Sequence, residues 1–485
     1  MNSEGAGSAS GSGSARSAAP ALQIAPRQDS RRWLALAFIA VAQLMIALDA
    51  TIVNIALPSA QRALGASDAD RQWVITAYTL SFGGLLLLGG RVADLLGRKR
   101  AFLIGLAGFA LASVVGGSAP NFEVLVASRA VQGAFAALLA PTALSLLAVA
   151  FTEPKERATA FAVYGSIAGS GAAIGMLLGG VLTQYFSWRW CLYVNLPIAL
   201  AAGVGGWVYV SGSDARGRGS LDLLGAALAG AGLVAIAYAS SSQSALLFAA
   251  GGALLGLFVV RESRTTAPLL PLHILADRVR AGAYISVGLA LAGMFGAYLF
   301  LTYYLQAVLH YSPLQAGAAF LPITVGSQSA SWLIARRLMP RVPPRALMVP
   351  GALVTAAGLA LLTQLHVDSG YATVVLPAEL LLGAGLSTMM VPAFSTATRG
   401  VEPRQAGVAS AVVNATQQVG ASLGTAVLNS IAVAATAAFV GPRPVAIVHG
   451  FAQATAVGAG IMLVAGLVAA VLINAPRPQL PATPR

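Results

Sequence analysis

Three ionisable residues stand where this chain should be wholly apolar. Asp49 interrupts a run of Leu, Ile, Ala and Val that begins at Trp33 and reaches Leu57; Arg129 interrupts a second run over 123–150, and Glu379 a third over 372–394. If these runs cross a bilayer, each charge costs at least about 2.5 kcal/mol on insertion-based scales, so a neutral residue is the default and a charged one needs a function and a partner. Of the sixteen acidic residues only Asp49 and Glu379 fall well inside apolar segments.

Depth supplies a partner for Asp49. It lies a little over two turns before the far end of its run, and Arg129 lies just under two turns after the start of its own. At about 1.5 Å rise per residue both fall at a similar level in the outer half of the membrane. Burial and a neighbouring arginine act on a carboxylate's proton affinity in opposite senses, so movement of one relative to the other toggles proton binding. Asp49 is thus a candidate to bind and release a coupling proton, with Arg129 tuning it; a static pair that fixes helix packing is the simpler alternative. Glu379 is open to two readings, a second proton or cationic-substrate site or a neutral hydrogen-bonded acid.

These residues need long helices to hold them. The chain has 485 residues, 57% hydrophobic and 9% charged, against about a quarter charged for soluble domains. A core about 30 Å thick needs about 20 apolar residues per crossing, and that window yields fourteen segments, at roughly 33–57, 72–90, 101–117, 123–150, 158–183, 190–210, 221–240, 244–260, 281–309, 314–335, 346–364, 372–394, 408–437 and 449–474. With the N-terminus inside, Arg62, Arg71, Arg189 and Arg443 fall outside, Arg129 falls within a span, and every other one of the 29 basic residues falls on the cytoplasmic side, as the positive-inside rule demands. The expected architecture is an all-α polytopic membrane protein with fourteen spans and both termini cytoplasmic. Residues 1–32 form a polar tail, 33–210 a six-helix bundle, 211–262 two extra spans with their linker, 263–280 a cytoplasmic linker, 281–474 a second six-helix bundle and 475–485 a tail. Ser30-Arg31-Arg32 could open a twin-arginine signal, but the apolar run behind it is far longer than a signal peptide's, so it reads as an uncleaved first span.

Several chemistries are excluded. A net charge of +13 suggests nucleic acid only when the basic residues cluster on one face or tail, and here they are spread between apolar runs. The single cysteine, Cys191, forms no internal disulfide, and His273, His310, His366 and His449 have no metal-ligand spacing. The only two lysines, Lys99 and Lys155, are followed by Arg100 and Glu156, so there is no phosphate-binding G-x-x-x-x-G-K-[ST] loop. No cofactor is expected, and an ion gradient is the remaining energy source. A proton crossing is worth about 2.3 kcal/mol per 100 mV.

The loop GRVADLLGRKR, from Gly90 to Arg100, places Asp94 among Arg91, Arg98, Lys99 and Arg100 and between Gly90 and Gly97. An acid four residues before Arg98 at a helix end can make a gate contact in one conformation and lose it in another. A basic inside loop alone would also satisfy the topology. Gly171, Gly175 and Gly179 recur every four residues on one helix face, permitting close helix contact.

GRVADLLGRKR resembles the signature loop of the major facilitator superfamily, and ALDATIVNIALP, from Ala47, resembles the first-span motif of its fourteen-span drug:proton antiporter branch. ASRAVQGAFAALLAP from Ala127, GSIAGSGAAIGMLLGG from Gly165, WRWCLYVNLP from Trp188, HYSPLQAGAAFLP from His310 and NATQQVGASLG from Asn414 resemble further motifs in the family's order. The resemblance covers nearly everything from Trp33 to Asn474. It implies a proton-transfer role for Arg129, an antiporter packing face at Gly165, Gly169, Gly171, Gly175, Gly179 and Gly180, and a cytoplasmic gate at Gly90, Arg91, Asp94, Gly97 and Arg98. One departure is Met176, where the family usually has proline and a kink. Tyr78, Gln132, Tyr164, Tyr298, Asn414 and Gln417 are candidates for a substrate cavity.

The implied function is proton-coupled export of amphipathic, drug-like or antibiotic-like compounds by alternating access. The expected partners are a small-molecule substrate, protons and the bilayer of a bacterial cell membrane, with the protein acting as a monomer. A dedicated exporter or importer of one metabolite is the alternative, and a membrane sensor or enzyme a remote one.

Overall fold

A computed structural model describes residues 28–151, 153–210, 222–265, 268–270, 272–339, 341–399, 401 and 406–474. Among the described residues all regular structure is helical. The chain runs through α1 (Gln28–Leu64), α2 (Trp73–Leu96), α3 (Arg98–Gly117), α4 (Phe122–Ala150), α5 (Pro154–Tyr185), the single turn α6 (Trp190–Tyr193) and α7 (Asn195–Tyr209). A hairpin follows, α8 (Leu223–Ser242) and α9 (Ala245–Arg264), then the short α10 (Leu272–Ala276). The second half comprises α11 (Arg278–Tyr303), α12 (Pro313–Ala319), α13 (Leu321–Leu333), α14 (Arg345–Leu362), α15 (Leu376–Ala397), α16 (Ala406–Ala438) and α17 (Arg443–Leu472), with π-helical turns at Tyr304–Val308, Ile334–Leu338 and Tyr371–Val375.

The breaks between apolar runs carry the local chemistry that starts helices. Asn121 caps α4 by accepting from the Val124 amide at 3.0 Å. Ser312 and Gln315 in HYSPLQAG form a reciprocal capping box that starts α12, a pairing that satisfies two otherwise orphaned amides. Gly97 joins α2 to α3 at φ +86°, a conformation that costs glycine little and other residues more. α1 begins at Gln28, ahead of Trp33, so the helix takes up the last residues of the polar tail expected over 1–32. Arg32 on that extension bonds Glu156 of α5 at 2.7 Å.

Twelve of the described helices are long and apolar enough to cross a membrane, against the fourteen segments expected. The two expected crossings outside that set are 158–183, which is the 32-residue α5, and 314–335, which is divided at Phe320 into α12 and α13.

Two groups of helices result. α1 packs on α5 and α7, and α4 on α2 and α3; α11 packs on α16 and α17, and α14 on α15 and α17. They meet along two seams, α2 against α16 and α5 against α12. α8 lies over the first seam, touching both α2 and α16 through Leu233, Ala237, Leu80 and Ala426. Asp222 at its start is held to Arg261 of α9 at 2.7 Å.

Glycines set the closeness of α1 and α5. A Cβ at Gly171 would sit 2.6 Å from Ala47, one at Gly175 2.9 Å from the Leu48 carbonyl oxygen, and one at Gly179 2.8 Å from that of Ile52. Gly180 instead faces the other group, where a Cβ would stand 2.7 Å from the Pro313 carbonyl oxygen. Gly165 and Gly169 lie outside the residues whose surroundings are described. Helix α5 continues unbroken through Met176, whose carbonyl oxygen would lie 2.4 Å from a Cβ at Gly317 of α12. The glycine therefore sits on the partner helix at this crossing.

Candidate functional site: a sealed Asp49–Arg129 centre

Asp49, 0% exposed, and Arg129, 2% exposed, meet inside the first helix group. Arg129 Nη1 donates to Asp49 Oδ2 at 2.6 Å and to Gln132 Oε1 at 2.6 Å, and Arg129 Nε donates to the Val74 carbonyl oxygen at 3.2 Å. The guanidinium carbon lies 4.2 Å from the centroid of the Tyr78 ring, a cation–π contact that needs no counter-charge.

The other carboxylate oxygen is equally committed. Asp49 Oδ1 accepts from Gln132 Nε2 at 2.8 Å and from Asn195 Nδ2 at 2.8 Å. Ser113 Oγ accepts from Asn195 at 2.9 Å and from Gln132 at 3.2 Å, then donates to the Leu192 carbonyl oxygen at 2.8 Å. Helices α1, α2, α3, α4, α6 and α7 each contribute a group. Asn195 and Ser113 complete the centre although nothing in their sequence setting singles them out. Both are short polar residues in apolar stretches; the one available signal for Asn195 is its place in WRWCLYVNLP, immediately after α6.

The close approach of α2 and α4 is what brings Val74 and Tyr78 to Arg129. A Cβ at Gly133 would stand 2.3 Å from the Tyr78 carbonyl oxygen, and one at Gly89 2.2 Å from that of Ala137. Two groups of this buried centre remain without a hydrogen-bond partner among the described residues, the Tyr78 hydroxyl and Asn195 Oδ1.

Glu379 lies apart, on the first turn of α15 in the second group. It is 0% exposed. Its Oε2 accepts from the Tyr371 hydroxyl at 3.3 Å, which also donates to the Ala319 carbonyl oxygen at 2.7 Å. Its Oε1 has no partner among the described residues.

Of the cavity candidates, Tyr78 and Gln132 belong to the Asp49 centre. Tyr164 bonds Gln43 at 2.5 Å between α5 and α1. Tyr298 stacks edge-on with Phe295, the ring centroids 5.8 Å apart. Asn414 donates back to its own helix at Ser410, and Gln417 is half-buried on α16. Two clefts, of 980 and 730 Å³, lie elsewhere and contain none of these six.

In the Gly90–Arg100 loop, Arg91 and Asp94 are exposed and Arg98 is half-buried. Among the described residues Asp94 makes no ion pair with Arg98 or any other residue. Gly90 has room, its nearest neighbour being Pro141 at 3.8 Å from an added Cβ. Among the described residues no cluster of His, Cys, Asp or Glu could hold a metal.

Twelve described helices long and apolar enough to cross a membrane, packed as two groups that meet along seams, define a polytopic helical membrane protein. The sequence model of the Major Facilitator Superfamily matches residues 39–425, and the chain belongs to that family. It is a multi-pass cell-membrane protein. It is 51% identical over 463 residues to a puromycin resistance protein of Streptomyces alboniger, covering 92% of each chain. It is 38% identical over 414 residues to a cephamycin export protein of Amycolatopsis lactamdurans, covering 82% of this chain and 84% of that one. Among solved structures, a POT-family transporter superposes with a TM-score of 0.69 at 15% identity, covering 92% of this chain and 98% of that one, a likeness of fold alone.

Proposed function

We propose that this protein exports amphipathic, antibiotic-like compounds across the cytoplasmic membrane in exchange for protons, with Asp49 as the proton carrier. The observation that carries the reading is the ion pair at 2.6 Å, fully buried and hydrogen-bonded on both carboxylate oxygens. A buried charge pair is poor value as a mere staple, because desolvation offsets most of its attraction. It suits a switch. A proton on Asp49 removes the charge that holds Arg129, leaving the guanidinium on Gln132, the Val74 carbonyl and the Tyr78 face. Removal of the proton restores the pair.

The topology proposed with it has fourteen crossings arranged six, two and six, both termini cytoplasmic, and a monomer as the working unit. The α1–α2 turn then faces outward and the Gly90–Arg100 loop inward, where Asp94 and Arg98 form the gate contact once the inner side closes. No cofactor takes part. Glu379 is the second proton site in this scheme, its carboxyl held by Tyr371.

Relatives whose names tie each to one antibiotic favour a second reading, a dedicated exporter of one compound. One experiment addresses both: proton release from purified, detergent-solubilised protein on adding a panel that includes puromycin and a cephamycin, for wild type and Asp49→Asn. Saturable release lost in the variant supports Asp49. Release by one compound alone supports the dedicated exporter. Tight binding with equal proton release in both proteins removes Asp49 from the mechanism.

A further inference from the structure

At the end of the molecule that carries the α1–α2 turn, an arginine outside the Asp49 centre is buried across the junction of the two helix groups. Arg71 is 5% exposed. Its Nε donates to Asn429 Oδ1 of α16 at 3.3 Å and its Nη1 to Asp68 Oδ1 at 3.3 Å. Its guanidinium carbon lies 4.0 Å from the ring centroid of Tyr303 on α11 and 5.9 Å from that of Phe451 on α17. One side chain thus engages three helices of the opposite group.

Its neighbours bridge the same junction. Asn429 Nδ2 donates to the Asp68 carbonyl oxygen at 3.3 Å, and Gln61 Nε2 holds Asp68 Oδ1 at 2.8 Å. The Tyr303 hydroxyl donates to Gln61 Oε1, and Gln306 donates to the Ile55 carbonyl oxygen at 2.9 Å. Asp68 Oδ2 also faces Arg443 at 3.5 Å, an exposed pair worth little by itself.

The backbone ties this junction to the proton site. Val74, whose carbonyl oxygen receives Arg129 Nε, follows Arg71 by three residues, and its amide donates to the Arg71 carbonyl oxygen at 3.4 Å. The Ile75 and Thr76 amides both donate to the Gln72 carbonyl oxygen, at 3.0 and 2.9 Å. The Thr76 carbonyl oxygen in turn accepts from Ser422 of α16 at 3.4 Å. Residues 71–76 therefore form one hydrogen-bonded turn, with the Arg129 contact at its middle and inter-group contacts at both ends.

We infer that Arg71, held by Asn429 and Tyr303, is the latch that closes this end of the transporter, and that the first turn of α2 links it to the charge state of Asp49. When Asp49 takes a proton, Arg129 loses its ionic partner and its hold on the Val74 carbonyl changes. The turn carrying Arg71 is the first structure to feel that change. The link rests on Asp49 being the proton carrier; the latch does not.

The test is a distance measurement that needs no substrate. Spin labels are placed at exposed Ala63 on α1 and Val440 between α16 and α17, in a Cys191→Ser background, and the distance distribution is read by pulsed electron resonance. Arg71→Gln and Asn429→Leu weaken the latch from opposite sides. Each raises the ratio of long to short distances about tenfold, the factor carried by one hydrogen bond to a charged group. The double variant exceeds neither single by much, because both remove the same contact. Asp49→Asn shifts the distribution with Arg71 present and leaves it unchanged in Arg71→Gln. If Arg71→Gln does not fold, Asn429→Leu carries the same expectation. Wild-type distributions in the weakened variants overturn the latch. An equal shift from Asp49→Asn in both backgrounds overturns the link while leaving the latch, and an Asp49→Asn that also fails to alter proton release points to failure of the carrier reading instead.

Discussion

Replacing Asp49 by asparagine changes little in shape and much in charge. The asparagine oxygen can still accept from Gln132 and Asn195, at the 2.8 Å positions now occupied by Oδ1. Its amide nitrogen, however, takes the place of Oδ2 and meets Arg129 Nη1, donor against donor. The guanidinium keeps Gln132 Oε1, the Val74 carbonyl and the Tyr78 ring but loses its counter-charge in a site that excludes water. Removing one partner of a buried pair costs about 3–5 kcal/mol. Arg129→Gln strands the carboxylate in the same way and belongs in the same range. The double variant strands neither charge. Its loss should therefore fall short of the sum of the singles by at least about 1.5 kcal/mol, inside the range found for contacting residues. Unfolding of the four proteins in mixed micelles measures this coupling, and uphill export in proteoliposomes measures the consequence, with all three variants unable to concentrate substrate against a gradient. Additivity within about 0.5 kcal/mol, or uphill export by Asp49→Asn, would refute the reasoning.

Other expectations follow from the same geometry. Asn195→Ala removes one donor from Asp49 and one from Ser113, each bond worth about 1–3 kcal/mol; export in inverted vesicles should fall about tenfold or more while the protein still folds, and an unchanged rate would show that Asn195 only fills space. Gly133→Ala drives a methyl group into the Tyr78 carbonyl and should destabilise by about 1–3 kcal/mol, whereas alanine at Gly203, which has open space around it, should leave the unfolding midpoint where it is. Glu379→Gln keeps an acceptor for the Tyr371 hydroxyl but sets an amide where Oε1 has no partner among the described residues, so stability should fall by about 1–3 kcal/mol while the number of protons released per substrate falls; an unchanged count would make Glu379 a packing residue.

The Asp49–Arg129 contact was legible because helix rise turns sequence position into depth, and opposite charges at one depth inside apolar crossings have few other partners. Gln132, one turn from Arg129, was expected in a substrate cavity and instead bonds both members of the pair. Ser113 and Asn195 were not legible, since a short polar side chain near a helix end has many satisfactory fates and only the packing of α7 on both α1 and α3 selects this one. Arg71 read merely as a positive charge outside the apolar runs. Its burial depends on α16, which arrives more than 330 residues later in the chain, and no local pattern encodes that meeting. The division of 314–335 at Phe320 was hidden for a different reason: a short interruption leaves the average hydropathy of the segment unchanged. Met176 illustrates the converse, a departure from the family pattern at which α5 simply continues as helix.

Among the described residues every donor to Asp49 comes from the first seven helices, and none from α11 to α17. The Asp49 centre is therefore assembled within the first half of the chain, and it reaches the second half through the first turn of α2, where Arg71 and Thr76 touch α11, α16 and α17. A hybrid that joins this first half to the second half of a relative should therefore keep the Asp49 centre only where the counterparts of Tyr303, Ser422 and Asn429 still meet the first turn of α2.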